Sequence, residues 1–540
     1  MWNKIVNPKT GRKVSITGAI GQKILRNYIY QLRGGAALVA NRQPLSKIKK
    51  LSDEDIGEKA TVHALITELL LTSSDIDNWI NMANSKIKNY LHWIWVNGGK
   101  VEGTTGAIIN DLVKKLESGS IFTQKEFKLV NDKMLNYVIP QAKVIYNNLQ
   151  PNQTTEYHVI KRVIPDSSKV AYFGDFHSGL HSIIDSLTNL RNKKFFKPDS
   201  WELKDDHYIV FLGDLVDRGP YGIECMFLVY MLFIINNQTE YRVFILNGNH
   251  EDKSTYDRYG FKIEMKEQLS TGCIKELEDL MKKLPIALFL KGDGETREWY
   301  QFCHGGIDKY QEDVTNTIKN FLENKSIEEL SINDQKGSSG FMWSDFTTEF
   351  IWDGKEVSSR GADIYEYSSV LTKEILDKNG IKTIISGHQD NTSFGFIPRP
   401  EHTTSDILTS NMVDNLEYSG KLKSVKDFEN SESGSGEGYF DLDMNDVVAT
   451  INSSATVSKY YVKKATYGIL NIDSDVSRVY WFDTCNSRHI LALIDNQILA
   501  NGGVGIVDHT IITPGELSDL CKANPGTIAE QERWWSVDSA

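Results

Sequence analysis

The chain has 540 residues, more than one ordinary hydrophobic core serves, so two or three domains are expected. Its formal net charge is −12, yet residues 1–50 hold 11 Lys or Arg and no Asp or Glu, which leaves −23 on the other 490. The five cysteines, Cys225, Cys273, Cys303, Cys485 and Cys521, lie far apart with no Cys-x-x-Cys pair, which argues against a disulfide framework or a thiolate zinc site and suits reducing cytosol.

In chain order, residues 1–35 form a basic module. Its turn cluster Asn7-Pro8-Lys9-Thr10-Gly11 would break the amphipathic helix of a transit peptide, and a helical pattern runs from Gln22 to Leu32 before Gly34-Gly35. Charge of this kind suits an acidic partner, nucleic acid or an anionic membrane face, or simply a solvated face packed on the acidic body. Residues 36–165 read as mostly helical: Val62, Leu65, Ile66, Leu69 and Leu70, then Ile76, Trp79, Ile80, Ala83 and Ile87, follow a 3.6-residue period. Thr123 with Glu126 resembles a capping box, and Pro151-Asn152-Gln153 marks a boundary. From 166 to 485 strands alternate with helices, the pattern of a layered α/β domain. Within it Met226–Ile235, the longest apolar stretch, is too short to cross a bilayer and reads as a buried helix.

Five apolar runs in that domain end in metal-binding residue types. Val170–Phe173 precedes Gly174-Asp175-Phe176-His177; Tyr208–Leu212 precedes Gly213-Asp214-Leu215-Val216-Asp217-Arg218-Gly219; Val243–Leu246 precedes Gly248-Asn249-His250-Glu251; Trp299–Phe302 precedes His304-Gly305-Gly306; and Thr383–Ile385 precedes Gly387-His388. Each candidate ligand falls just past the C-terminal end of a strand, the edge of an α/β sheet where loops converge on ligands. One such cluster is commonly a turn or a satisfied core histidine. Five in series supply the carboxylates, amide and imidazoles of a two-metal centre for Mn, Fe or Zn, whereas calcium would want oxygen throughout. Arg218, carried on the same turn as Asp214 and Asp217, has the forked donors that grip phosphate.

These motifs, followed by Trp343-Ser344-Asp345, Arg360-Gly361 and Gly387-His388-Gln389, resemble the phosphoprotein phosphatase family of calcineurin-like metallophosphoesterases over about 169–394. The resemblance implies an α/β fold, a β-sandwich flanked by helices, with a mostly helical region before it. It implies two divalent ions, manganese foremost with iron or zinc as alternatives. Asp175 and His177 would bind the first, Asp214 would bridge, and Asn249, His304 and His388 would complete the second. Arg218 and Arg360, with Asn249, would hold the phosphate, and His250, oriented by Asp217, would protonate the leaving oxygen. The implied reaction is single-step hydrolysis of phosphoserine or phosphothreonine in proteins. Its alternatives are a dinucleoside polyphosphate hydrolase, or another small-molecule phosphoesterase, and a catalytically weak scaffold.

The chain departs from the family pattern in three places. Ser178 stands where glycine usually follows the first His, and Asn247 where arginine usually precedes Gly-Asn-His. About fifty residues separate Phe396 from Ile451-Asn452-Ser453-Ser454-Ala455, where a short loop with a Ser-Ala-Pro-Asn-Tyr signature is usual. Residues 401–450 carry 11 acidic and 3 basic residues, and Ser431–Gly438 reads as disordered, an acidic loop or lid near the site mouth. Core strands follow at Ala465–Ile472 and Ser477–Phe482, then a 486–540 extension with an apolar Ile490–Leu499, a short helix after Thr513-Pro514 and a terminal Trp534-Trp535. At the other end, Val6-Asn7-Pro8-Lys9-Thr10-Gly11-Arg12-Lys13-Val14, with Lys23-Ile24-Leu25 and Tyr28, resembles the two-cysteine adaptor module of large DNA virus proteins, without either cysteine. A viral origin would place the chain in host cytoplasm or the virion.

Overall fold

The computed structural model describes residues 4–6, 13–15, 76–78, 80–81, 131–149, 157–218, 221–332, 339–347, 351, 354–361, 363–389, 394–397, 437–444, 448–451, 453 and 464–483. The helical pattern at Gln22–Leu32, the apolar face at Val62–Leu70, the Thr123 capping box, most of the acidic insertion and the C-terminal extension lie outside them. At the amino end, β1 (Lys4–Val6) pairs antiparallel with β2 (Lys13–Ser15), Ile5 opposite Val14. Three-residue strands are too short to show an alternation, so the sequence reading names only the turn cluster between them.

The remaining strands run β3 (His158–Ile164), β4 (Lys169–Phe173), β5 (His207–Phe211), β6 (Val243–Ile245), β7 (Ala287–Gly292), β8 (Trp299–Cys303) and β9 (Glu329–Ser331). They continue as β10 (Asp345–Thr347), β11 (Lys355–Val357), β12 (Tyr365–Ser368), β13 (Ile381–Ser386), β14 (Phe394–Ile397), β15 (Glu437–Asp443), β16 (Val448–Ile451), β17 (Lys464–Asn471) and β18 (Val476–Asp483). One six-stranded sheet has the order β15-β18-β17-β4-β5-β6, one seven-stranded sheet the order β14-β16-β13-β8-β7-β3-β9, and β10-β12-β11 form a small third sheet. The candidate ligands therefore come from two sheets and not from a single open one. Strands β4, β5 and β6 are mutually parallel, as are β8, β13 and β16.

The two large sheets face each other. Tyr172 of β4 meets Phe302 of β8 edge-on with ring centroids 6.2 Å apart. Leu288, Leu290, Tyr300, Phe302 and Ile385 share one core with Val170, Ala171, Tyr172 and Phe173. Their neighbours Ala287, Phe289, Trp299 and Ile384 point the other way, into a second core with Phe321, Ile375 and Leu376. That is the period-two alternation of a strand buried on both faces. Gly468 on β17 gives the Tyr172 ring its room, because a Cβ there would come within 2.0 Å of it. The expected buried helix is present as α1 (Gly222–Asn236), in which every residue but Ile235 is buried.

Among the described residues, the amino-terminal helical segments have no separate core. Ile76, Ile80, Met134, Val138, Ile139 and Tyr146 belong to the same buried cluster as β4 and β5. Asp77 fastens its segment by accepting from Arg191 at 2.6 Å and from the Trp201 indole at 2.8 Å. Strand β3, upstream of the boundary expected at 166, is paired on both sides, by β7 and β9. The helical region of 36–165 thus contains an inner strand of the sandwich.

The acidic insertion is anchored at both ends. Strand β14 runs antiparallel to β16 with Ile397 opposite Val448, so the chain leaves at the end of the sheet away from His388. It returns as β15 along β18, beginning at Glu437 opposite Phe482. Glu437 and Gly438, expected in a disordered stretch, are therefore the start of an edge strand. Just past β16, the buried Ser453 hydroxyl accepts from Gly174 N at 2.9 Å and donates to Thr466 O at 2.6 Å, joining the loop after β16 to the six-stranded sheet beside the first ligand loop. Replacing Ser453 with Ala strands both buried backbone groups and is expected to lower unfolding stability by about 1–3 kcal/mol. A denaturant titration reads this directly, and an unchanged midpoint would remove Ser453 from the account.

Candidate active site

All five ligand loops meet at one rim, and their backbones are strained to do so. His177, Ser178, Asp214, Asp217, Arg218 and His388 all have positive φ, from 45° to 68°. Side chains other than glycine avoid that region unless their surroundings hold them there, which makes strain a marker of function. The hydrogen bonds that hold them are visible. Phe176 N and His177 N donate to Asp214 O at 3.0 and 2.8 Å, and Ser178 N to Leu215 O at 2.9 Å.

Asp214 lies at the centre. Its Oδ2 is 3.2 Å from His304 Nε2, 3.6 Å from His177 Nε2 and 3.9 Å from His250 Nε2. Asp175 sits 3.7 Å from both His177 Nε2 and His304 Nδ1, and its Oδ1 accepts from His388 N at 3.0 Å. Two ligand-type triads follow, His177-Asp214-His250 and Asp175-Asp214-His304, each with donor atoms within 4.8 Å of one another and all residues buried. They share Asp214, as a bridging carboxylate requires.

Several orphaned atoms fit cations. The His177 Nδ1–H donates to Val216 O at 3.2 Å, which fixes the tautomer and leaves a buried Nε2 lone pair aimed at Asp175 and Asp214 with no hydrogen bond. His304 Nδ1 is likewise buried without one. His388 donates Nε2–H to Trp343 O at 3.1 Å, turning Nδ1 toward His304 Nε2 at 3.1 Å. The Asn249 side-chain oxygen faces both Asp214 carboxylate oxygens at 3.1 Å and His304 Nε2 at 2.9 Å. Acceptors crowded in this way repel one another, and the reversed amide would donate to them; a cation among them makes the inward oxygen the favourable one.

The electrostatics agree. Burial alone would raise the Asp214 carboxyl, but the His304, His250 and His177 imidazoles hold it well below the usual range. Burial, Arg218 and His250 keep His177 well below its ordinary value, and burial, Arg360 and His304 do the same for His388, so both are neutral, as ligands must be. Against burial, Asp214 and Asp175 draw His304 up to about 9, as expected where negative charge exceeds positive.

Beside the cluster lies a dyad. His250 Nδ1–H donates to Asp217 Oδ2 at 2.7 Å, while Asp217 Oδ1 accepts from Phe261 N at 2.8 Å. The other face of His250 presents Nε2 to the Arg218 guanidinium at 3.3 Å. Arg360 stands further out, with Nε 2.5 Å from Asp345 Oδ2 and a second contact to Oδ1 at 3.4 Å. Asp345 Oδ1 in turn lies 4.0 Å from His388 Nε2. The structure thus brings Asp175, His177, Asp214, Asn249, His304 and His388 into one cluster, with His250, Asp217 and Arg218 against it, and links Arg360 to it through Asp345.

Three further residues serve the site without having been assigned a role from sequence. Glu251 accepts from Asp214 N, Leu215 N and Gly248 N at 2.8, 2.8 and 2.9 Å, locking two ligand loops together. Burial beside Asp214 pushes its carboxyl up to about 8, against the pull of the Asp214 and Leu215 N–H donors. Gln389 pairs with both backbone groups of Phe346, at 2.8 and 3.3 Å, tying the His388 loop to the segment that carries Asp345. Ser453 holds Gly174. Glu251 directly follows Gly-Asn-His, Gln389 ends Gly-His-Gln and Ser453 lies in the string after the insertion, but none of these positions shows in sequence which backbone groups it holds.

The family model for calcineurin-like phosphoesterases matches residues 168–390. A probable serine/threonine-protein phosphatase of Encephalitozoon cuniculi is 28% identical over 227 residues, 41% of this chain and 43% of its own. Serine/threonine-protein phosphatase T of Aspergillus oryzae is 23% identical over 292 residues, 53% of this chain and 51% of its own. The chain thus spans about half the length of these curated relatives. Among solved structures, a Saccharomyces cerevisiae protein serine/threonine phosphatase with similarity to human phosphatase PP5 aligns at TM-score 0.43 and 17% identity, covering 67% of this chain and 90% of that one.

Titration of the metal-free chain with Mn2+ is expected to show two sites by calorimetry. Asp214→Asn, which loses the shared carboxylate charge, should weaken both, and loss of only one would refute its bridging position.

Proposed function

We propose that the calcineurin-like metallophosphoesterase domain at residues 168–390 is a metal-dependent phosphatase that hydrolyses phosphoserine and phosphothreonine in proteins. The observation that carries this is the His250-Asp217 dyad, 2.7 Å apart and buried, set against the Arg218 guanidinium on one side and the shared Asp214 on the other. A domain that only bound phosphate would need the arginines but not an imidazole with a carboxylate behind it. The named relatives support phosphoprotein as the substrate class.

In this reading Asp175, His177 and Asp214 would hold one divalent ion, and Asp214, Asn249, His304 and His388 would hold the other. Manganese suits this mixed carboxylate and imidazole set, and iron or zinc would fit the same donors. When bound, the pair supplies Lewis acidity toward phosphate and acidifies a water for in-line attack. The protein does the rest. Arg218 and Arg360, with the Asn249 amide, orient the phosphate oxygens, Arg360 exchanging its Asp345 carboxylate for them. His250 delivers a proton from Nε2 to the leaving seryl or threonyl oxygen while Asp217 keeps Nδ1–H fixed and stabilises the imidazolium. The 11 positive charges of residues 1–50 add a separate element, a docking module for an acidic partner or nucleic acid.

His250→Ala is expected to keep both metals and lose about 10²–10⁴ in turnover on a phosphoserine peptide. Metal content and kcat on one preparation decide the role: loss of an ion would make His250 a ligand, and unchanged turnover would end the proposal. Parallel assays of a phosphopeptide and a diadenosine polyphosphate test the substrate class. Hydrolysis of the dinucleotide alone would overturn it.

A further inference from the structure

Ser178 is out of keeping with its position. It is 1% exposed, and at φ +61° it occupies the left-handed region that glycine adopts freely. A side chain is retained there although it strains the backbone, so the hydroxyl needs an account. Its Oγ donates to the main-chain O of Asp217 at 3.2 Å. That carbonyl belongs to another strained residue, φ +67°, whose carboxylate receives the His250 Nδ1–H. Ser178 also adjoins His177, which faces His250 edge-on with ring centroids 4.8 Å apart. The far side is closed as well, because a Cβ at Gly222 would lie 3.0 Å from both Ser178 Oγ and Glu264 Oε2. The Ser178 side chain thus sits in a fitted space between the first ligand loop and the loop that carries Asp217.

We infer that Ser178 is a positioning residue for the proton donor: its hydroxyl ties the Asp217 main chain to the His177 loop, and so sets the angle at which Asp217 presents His250 to the leaving oxygen. This rests on the dyad function proposed above. It differs from a merely structural role in one respect. A hydroxyl that only satisfied a buried carbonyl would affect every substrate alike. One that sets the proton donor matters only when the leaving oxygen needs a proton: an alkoxide does, whereas p-nitrophenolate, a far weaker base, departs without help.

The test compares wild type, Ser178→Gly and Ser178→Ala, all loaded with Mn2+, on a phosphoserine peptide and on p-nitrophenyl phosphate. Glycine relieves the backbone and alanine keeps the strain, so an effect shared by both belongs to the hydroxyl. Both variants are expected to retain two ions, to unfold near or, for glycine, above the wild-type temperature, and to lose about tenfold in kcat on the peptide while staying within about twofold on the aryl ester. Equal losses on the two substrates, no loss on either, or an effect confined to alanine would overturn the inference and leave the phosphatase reading intact. A wild-type chain inactive on both esters would defeat the two together.

Discussion

Four carboxylates buried within one rim are the constraint that the rest of this structure answers. Asp175, Asp214, Asp217 and Glu251 are each 3% exposed or less, and buried charge is tolerated only when it is paired and hydrogen-bonded. Two of the four are satisfied within the protein: Glu251 by three backbone N–H groups, Asp217 by His250 and Phe261 N. The other two are shared with the histidines. Asp175 Oδ1 takes His388 N and Asp214 Oδ1 takes His250 N, while the Oδ2 of each faces imidazole nitrogens at 3.2 to 3.9 Å. The Asp214 carboxylate, with His177 Nε2 and His304 Nδ1 buried near it without hydrogen bonds, makes a place where cations could fit.

Closing this arrangement requires a backbone that ordinary loops avoid. Loops with residues at positive φ persist because each is pinned from elsewhere: the Asp214 loop by Glu251, the His177 loop by Asp214 and Leu215 carbonyls, the Asp217 turn by Ser178. These pins come from the loops after β6, β5 and β4, so the parallel strands of the six-stranded sheet are what over-determine them. A single sheet would bring β4, β5 and β6 together but leave His304 and His388, which follow β8 and β13, without a common edge. The edge-on contact of Tyr172 and Phe302 therefore bears on the site, because it lies where the sheets carrying the two groups of candidate ligands pack together.

What was legible in the sequence was local. Strands ending in Gly-Asp, Gly-Asn-His or His-Gly-Gly carry their own boundary and their own chemistry, so β4, β5, β6, β8 and β13 and all six ligand-type residues could be read from adjacent positions. The pins could not, since Ser453 acts on Gly174 across 279 residues and Gln389 on Phe346 across 43. A serine or glutamine within a motif string gives no sign of the distant backbone group it binds. For the same reason residues 36–165 read as a helical region of their own: helical periodicity shows that a face is buried but not against what, and Ile76, Ile80 and Tyr146 are buried in the same core as β4 and β5.

The insertion shows how topology limits a functional guess. Acidic composition and proximity in sequence to His388 suggest a lid, yet β14 first carries the chain the length of a strand away from the rim, to Ile397 opposite Val448. The return strand β15 comes in at the outer edge of the other sheet, separated from β4 by β18 and β17. There its charges have a structural use. Asp441 takes Arg478 at 2.6 and 2.8 Å, and the same guanidinium lies over the Tyr439 ring at 4.4 Å. Charged residues on an edge strand discourage pairing with other chains. The described end of the insertion thus finishes the six-stranded sheet and blunts its edge, on a different sheet from the strand β14 by which the chain leaves the rim.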